Sequence, residues 1–394
     1  MTGLLLALAV AGGQGPVPGS ELQVYLLTFG IGAAPWERFG HNAIRIRDTV
    51  AGTDVGYDYG RFDFRESNFV LNFARGRMRY WMDSASAQGY LLGYARLGRD
   101  IWVQELEIPP AERLVLREFL AQNLRPENKF YDYDYYLDNC STRIRDALDR
   151  ALGGALKRWA SRPSGTTWRQ DTRRLNQHNP FLYTALMIGL GRRVDREMTF
   201  WEQMFLPVRL RQLMDSVGVR GPDGSVRPAV RSELLAVDSE RFPEPAAPAD
   251  WTLRYLAVGA ILGGALALAG RFEGMGRSVV LALGTLWALI SGVIGAILLW
   301  LWAFSRHTAA HDNENVLLFN VLSLGLAVVL PAALRGKPWA GKPARRLALL
   351  IAALAALGLL LKLAPGSQAN LELIALALPA HAGLALAVSS RRAA

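Results

Sequence analysis

The sequence predicts an α+β domain followed by an all-α membrane bundle, and three observations carry that reading. Residues 22–245 alternate strand-like and helical patterns without an internal repeat. Five apolar stretches, at about 254–270, 279–304, 316–334, 347–363 and 371–389, approach the roughly 20 residues that a helix needs to cross a bilayer. A Pro- and Ala-rich segment, DSERFPEPAAPAD at 238–250, separates the two halves. The expected domains are therefore a leader over 1–20, a folded domain over 21–245 and a membrane domain over 246–394.

Composition narrows the partners. The chain has 394 residues, 51% of them hydrophobic, one cysteine and a net charge of +10. One cysteine excludes an intramolecular disulfide framework and any multi-cysteine metal centre. The positive excess lies mainly after residue 250, where the net charge is +8 against +2 before it. It falls between apolar runs instead of on a folded face, so no nucleic-acid partner is expected.

Taken in order, MTGLLLALAVAGGQG supplies a short apolar run followed by small residues, and reads as a signal peptide without its usual basic start. LQVYLLTF, NAIRIRD, VGYDYGRFDF and RDIWVQELEI are rich in β-branched and aromatic residues and read as strands. AERLVLREFLAQNL and STRIRDALDRALGGAL carry apolar positions at three-four spacing and read as helices, the first starting after Pro109-Pro110. In the membrane half, one set of loops holds nine Lys and Arg, including Arg335, Lys337, Lys342, Arg345 and Arg346. The other holds Arg254, Arg306 and Lys362. The nine-residue side is cytoplasmic by the positive-inside rule, so five crossings place residues 1–250 outside and the C-terminus in the cytoplasm.

Cys140 stands where the aromatic run FYDYDYYLDN gives way to a helix, with Asn139 or Asp138 as N-cap. The positive end of the helix dipole favours a thiolate there, the nucleophilic form. A lone cysteine is more often a small core residue, and it is a partner that changes the reading. His41 and His178 are the two histidines before residue 250. His41 opens the strand in RFGHNAIRIRD, and a histidine at a strand mouth with a cysteine at a helix start is how papain-type thiol enzymes pair base and nucleophile. Here the order is reversed, as in circularly permuted members of that fold. His178, in LNQHNPFLY, competes as base, but its neighbours suggest a turn.

These residues resemble the Lnb-type lipoprotein N-acyltransferases, which join a periplasmic permuted papain-like (NlpC-type) domain to a C-terminal membrane domain. The resemblance is carried by FGHNAIRIRD, YGRFDFRESNFVLNFARGRMRY, YDYDYYLDNCSTRIRD and MFLPVRL, and by the membrane loop HTAAHDNEN followed by VLLFN. It implies a third polar group on the strand after His41. A hairpin around Thr49–Asp54 would return Asp58–Arg61 opposite His41, and Asp58 would orient the imidazole. Tyr59 and Asp63 are its rivals, since a one-residue slip exchanges faces.

Substrate contacts are expected at Tyr59, Asn139, Arg143, His307, Asn313 and Asn315, the last three either meeting a lipid headgroup or hydrogen-bonding within their loop. Arg143, Arg145 and Arg169 would hold phosphate by bidentate contact or pair with acidic neighbours. Tyr131, Tyr133, Tyr135 and Tyr136 would line the site or pack it. His307 and His311 are four apart, the spacing of a metal pair on a helix, but two ligands are too few and no metal or other cofactor is expected. The implied partners are membrane phospholipid as acyl donor and bacterial lipoproteins as acceptors, at the inner membrane. Two other readings share the Cys–His pair or the architecture: a membrane-tethered cysteine peptidase or amidase of the envelope, and a catalytically inactive assembly factor.

Overall fold

The computed structural model describes residues 17–220 and 224–390. The expected leader lies outside the described residues except for its last four, which lead through a turn into the first strand. The N-terminal half is built on one antiparallel seven-stranded sheet. Its strands are β1 (Leu22–Phe29), β2 (His41–Asp48), β3 (Thr53–Arg61), β4 (Arg79–Ser86), β5 (Ile101–Leu106), β6 (Phe130–Asp132) and the late strand Val230–Val237. The spatial order runs from Val230–Val237 through β5, β1, β2, β3 and β4 to β6.

Alternation sorts the side chains onto two faces. On one, Leu22, Val24, Leu26, Ile44, Ile46 and Met82 pack beneath the helices α3 (Pro110–Asn123) and α4 (Cys140–Ala151). On the other, Leu27, Phe29, Ala43 and Ile101 meet Tyr90 of α2 (Ala87–Arg96). The four strands and two helices read from the sequence are all present. The helix beginning at Cys140 is shorter than expected, because Gly153 and Gly154 take φ of 59° and 77° and turn the chain into a separate short helix, Ala155–Ala160. β4, a short helix α1 (Phe69–Arg75) and the late edge strand were not anticipated. Val230–Val237 pairs with β5 across more than a hundred residues of chain, a choice that no local pattern records.

Among the described residues, five helices long and apolar enough to cross a membrane follow: Thr252–Ala269, Met275–Phe304, Glu314–Leu334, Gly341–Leu363 and Leu371–Ser389. The first and last approach through glycine. A Cβ at Gly259, Gly263 or Gly383 would collide with the backbone of the facing helix at Leu376, Pro379 or Gly263. Small residues permit such backbone contact in a bilayer, where dispersion rather than water exclusion drives helix association. The third span starts irregularly and becomes a regular α-helix only from Leu322.

The two halves are fastened together by polar side chains. Asn313 donates to the carbonyls of Ile188 and Gly189 at 2.9 and 3.0 Å, and Asn315 donates to those of Met187 and Ile188, both at 3.0 Å. These are the orphan carbonyls at the C-terminal end of the periplasmic helix Pro180–Gly189. Tyr183 of that helix donates to Glu372 of the fifth span at 2.8 Å, and Gln368 donates to Leu190 O at 2.9 Å.

Candidate active site

The β2–β3 hairpin sets the site. Its register pairs Ala43 with Asp58, and continuing that register places His41 across from Gly60, with Asp58 diagonal to it on the same face. His41 Nε2 lies 2.9 Å from Asp58 Oδ2. The carboxylate is buried and held from three sides: it also accepts from Tyr90 Oη at 2.8 Å and from Arg61 Nε at 3.1 Å. Burial pushes the Asp58 pKa up, but the His41 hydrogen bond and charge, the Arg61 guanidinium and the Tyr90 hydroxyl hold it below its usual value.

With Nε2 committed to Asp58, the other ring nitrogen is the one left for Cys140, whose side chain interacts with the imidazole. Burial opposes the imidazolium charge. The Tyr94 oxygen, the Cys140 sulfur and the Asp58 carboxylate outweigh it and raise the His41 pKa well above 6.5. The ring is also fixed by stacking, parallel to Tyr94 at 5.9 Å and to Phe29 at 6.3 Å.

His41 faces α2 and α4 covers the other face, so the thiol must reach around the end of the sheet. Gly60 makes that passage. Its φ is +96°, and a Cβ there would lie 3.2 Å from the Cys140 Cβ and 4.0 Å from His41 Cε1. Any side chain at Gly60 would stand between the two reacting groups.

Asn139 is the N-cap of α4, as expected. Its Oδ1 accepts from Ser141 N and Thr142 N, both at 2.9 Å, while its Nδ2 donates to Tyr135 O and Phe205 O. That engages the amide on both sides, so Asn139 helps to build the site. The cap takes the first-turn amides of Ser141 and Thr142, leaving the N–H of Cys140 as the one it does not take. Met204 and Phe205 of the MFLPVRL block are explained here: their carbonyls accept from Ser141 Oγ and Asn139 Nδ2.

The fold gives the other expected residues internal partners. Tyr59 is buried on the α4 face, edge-to-face with Tyr131 at 6.2 Å and on the side of the sheet away from His41. Asp63 pairs with Arg65 at 3.1 Å. Arg143 grips Asp138 with two bonds of 2.6 and 2.7 Å and lies 3.7 Å over the Tyr131 ring. Arg145 binds Asp146 and Trp201 O, and Arg169 is buried on Asp195, Leu190 O and Gly191 O. Internal partners thus occupy all three arginines. His178 is exposed in the turn between two helices, so His41 is the base that meets Cys140.

Around the thiol, burial and the nearby Cys140 charge push Tyr80 up to about 12 and raise Tyr131 and Tyr133 as well. Tyr80 stacks on Tyr133 at 4.2 Å, Tyr133 meets Tyr135 at 6.0 Å, and Tyr135 lies parallel to His307 at 5.5 Å. Tyr136 meets Tyr135 edge-on at 6.4 Å and shares a hydrogen bond with Thr172 at 2.8 Å. The membrane loop therefore reaches the rim of the site, but its polar groups are engaged. His307 Nε2 bonds Phe73 O at 2.6 Å, His311 bonds Ser305 O, and Asn313 and Asn315 fasten the helix described above. His307 and His311 do not share a helix face, because residues 308–310 form a single 3-10 turn. Arg61, Gly60, Tyr90 and Tyr94 were missed as site residues. Only the YGR spelling of the hairpin return hinted at the first two.

A family model described as the Lnb N-terminal periplasmic domain matches residues 14–176, and one described as the Lnb transmembrane domain matches residues 251–388. Comparisons with curated proteins and with solved structures give no match. The first family match contains His41, Asp58, Gly60 and Cys140, and the second covers the five spans except for the last residue of the fifth, Ser389. The chain belongs to the Lnb family, as an inner-membrane, lipoprotein-modifying enzyme with a periplasmic α+β domain and five membrane-spanning helices.

Proposed function

We propose that the protein is a thiol acyltransferase that moves an acyl chain from phospholipid to the N-terminal amine of diacylglyceryl-cysteine lipoproteins. The observation that carries this reading is Cys140 at a capped helix start, beside a histidine that a buried aspartate orients, in a domain fastened to five membrane spans. His41 takes the thiol proton and the thiolate attacks the ester carbonyl of the lipid. The ester C–O bond breaks, His41 returns the proton to the departing lysophospholipid hydroxyl, and a Cys140 thioester remains. The free α-amine then attacks the thioester, the C–S bond breaks to give an amide, and the amine's surplus proton restores the thiol. Asp58 keeps the ring oriented and stabilises its cation, as the acidic member of a triad does. The Cys140 N–H is placed to meet the developing oxyanion.

The expected orientation completes the proposal: residues 22–250 and the loop around 306–315 are periplasmic, and the loop at 335–346 and the C-terminus are cytoplasmic.

Incubation with phospholipid alone should add one acyl chain to Cys140, visible by intact mass and removed by hydroxylamine. A diacylated lipopeptide with a free α-amine should discharge the adduct into a triacylated product, while an N-acetylated one should not. Cys140→Ala and His41→Ala should both prevent the adduct. Peptide cleavage without any acyl adduct would favour the peptidase reading instead.

A further inference from the structure

The periplasmic domain exposes an apolar ledge beside the membrane helices. Trp36, Phe64, Val70, Leu71 and Phe73 form it, with Trp36 58% and Val70 79% exposed. The rings are organised: Trp36 meets Phe64 edge-on at 5.1 Å, Phe64 meets Phe69 at 5.1 Å, and Phe69 stacks towards Phe73 at 6.4 Å. Isolated exposed apolar residues are ordinary, but a contiguous aromatic patch on a folded domain marks a surface that something covers.

Its position says what covers it. The C-terminal end of α1 is joined to the periplasmic end of the second span, where Arg306 N donates to Arg75 O at 2.9 Å and His307 bonds Phe73 O. Gly76, at φ +68°, lets the chain turn there, since a Cβ would meet the Arg306 and His307 backbone at about 3 Å. The ledge thus continues the surface of a membrane helix whose last turns expose Trp302 and Phe304. Arg75, Arg77 and Arg79 follow at exposed positions, as cationic groups do where a surface meets lipid phosphate.

We propose that this ledge is seated in the headgroup–acyl boundary of the periplasmic leaflet, with the bilayer lipid itself as its occupant. Aromatic side chains are stable at that depth, and α1 is short enough to lie along it. From the ledge, Phe62 stacks on Tyr80 at 5.0 Å and Tyr80 on Tyr133 beside Cys140, so a ring-lined wall leads from lipid to thiol. That wall matters as an entry for acyl chains only if the acyl-transfer reading holds. The seating does not depend on it.

The test uses the full chain carrying Cys140→Ala, which cannot form a thioester, so its outcome is separate from that of the acyl-transfer experiment. Val70→Cys or Leu71→Cys is labelled with an environment-sensitive fluorophore and reconstituted in phosphatidylethanolamine–phosphatidylglycerol vesicles. Val50→Cys, in the β2–β3 turn and 85% exposed, serves as control. Lipids brominated on their acyl chains should quench the Val70 and Leu71 probes severalfold more than the Val50 probe. Equal quenching at all three positions would overturn the proposal. Shielding of Val70 and Leu71 from iodide present on both sides of the vesicle, without quenching by brominated lipid, would show a protein cover and overturn it too.

Discussion

Ser141 Oγ lies 2.9 Å from Asn42 Oδ1, and each of these residues directly follows one member of the Cys140–His41 pair. Asn42 is itself anchored, its Nδ2 donating to Thr28 Oγ1 at 2.8 Å and to Leu27 O at 3.3 Å. Strand alternation sends Asn42 towards α4 while His41 faces α2. The single Ser141 hydroxyl hydrogen is shared between Asn42 Oδ1 and Met204 O, and this buried contact ties the helix carrying the nucleophile to the strand carrying the base.

Asn42→Ala and Ser141→Ala should each loosen that tie. Leaving a buried partner unsatisfied costs about 1–3 kcal/mol of stability. A displacement of the pair by about 1 Å should lower kcat on the order of 100-fold. Thermal unfolding and single-turnover formation of the acyl adduct would separate the two effects. A variant that loses stability but keeps full kcat would show that the bond does not position the pair.

Gly60→Ala should be more damaging than its exposure implies. A non-glycine residue at φ +96° carries strain of about 1–3 kcal/mol, and the new methyl would press on the Cys140 Cβ. Turnover should collapse while the fold survives. Alkylation of Cys140 by a small soluble reagent should slow as its contact with His41 is disturbed. Normal turnover in this variant would mean that the thiol does not pass the strand end at Gly60.

The pH profile should report Asp58. An imidazolium–thiolate pair requires His41 protonated, so kcat/KM falls as pH rises through the raised His41 pKa. Asp58→Asn removes one of the interactions that raise it, and the descending limb should move to lower pH. Stability follows the same sign: the His41 contribution is complete below its ordinary pKa of 6.5 and fades as pH climbs through the folded value. Asp58, held below 3.8, stabilises the fold above that pH and loses its contribution as pH falls through its own depressed value. An unchanged descending limb in Asp58→Asn would remove the carboxylate from the mechanism.

Asn315→Ala should weaken the joint between the domains. It leaves the Met187 carbonyl without its donor and the Ile188 carbonyl with one fewer, and removes the acceptor for Asn370 Nδ2. A loss of about 1–3 kcal/mol is expected. Proteolysis within the 238–250 linker should then proceed faster in detergent than for the parent chain. Equal cleavage rates would show that the joint is held elsewhere.

By itself the sequence determined the two-part architecture, the five spans, the first strands of the sheet and the Cys140–His41 pairing. Each is written in local terms: apolar runs of membrane length, period-two alternation, and a cap residue before a helix with a nucleophile at its first position. It also pointed to Asp58, but could not separate it from Tyr59, because adjacent strand residues differ only in the face they take. The tertiary structure decided that by pairing Ala43 with Asp58. It also brought in Tyr90 and Tyr94 from α2, some thirty residues further along, to hold the carboxylate and the ring. The same distance problem hid the duties of Asn313 and Asn315. Their residue types suit a substrate, and only the folded chain shows that buried carbonyls already occupy them. Local periodicity records which surfaces a segment must bury, whereas hydrogen-bond partners distant in sequence exist only once loop closure has brought them together.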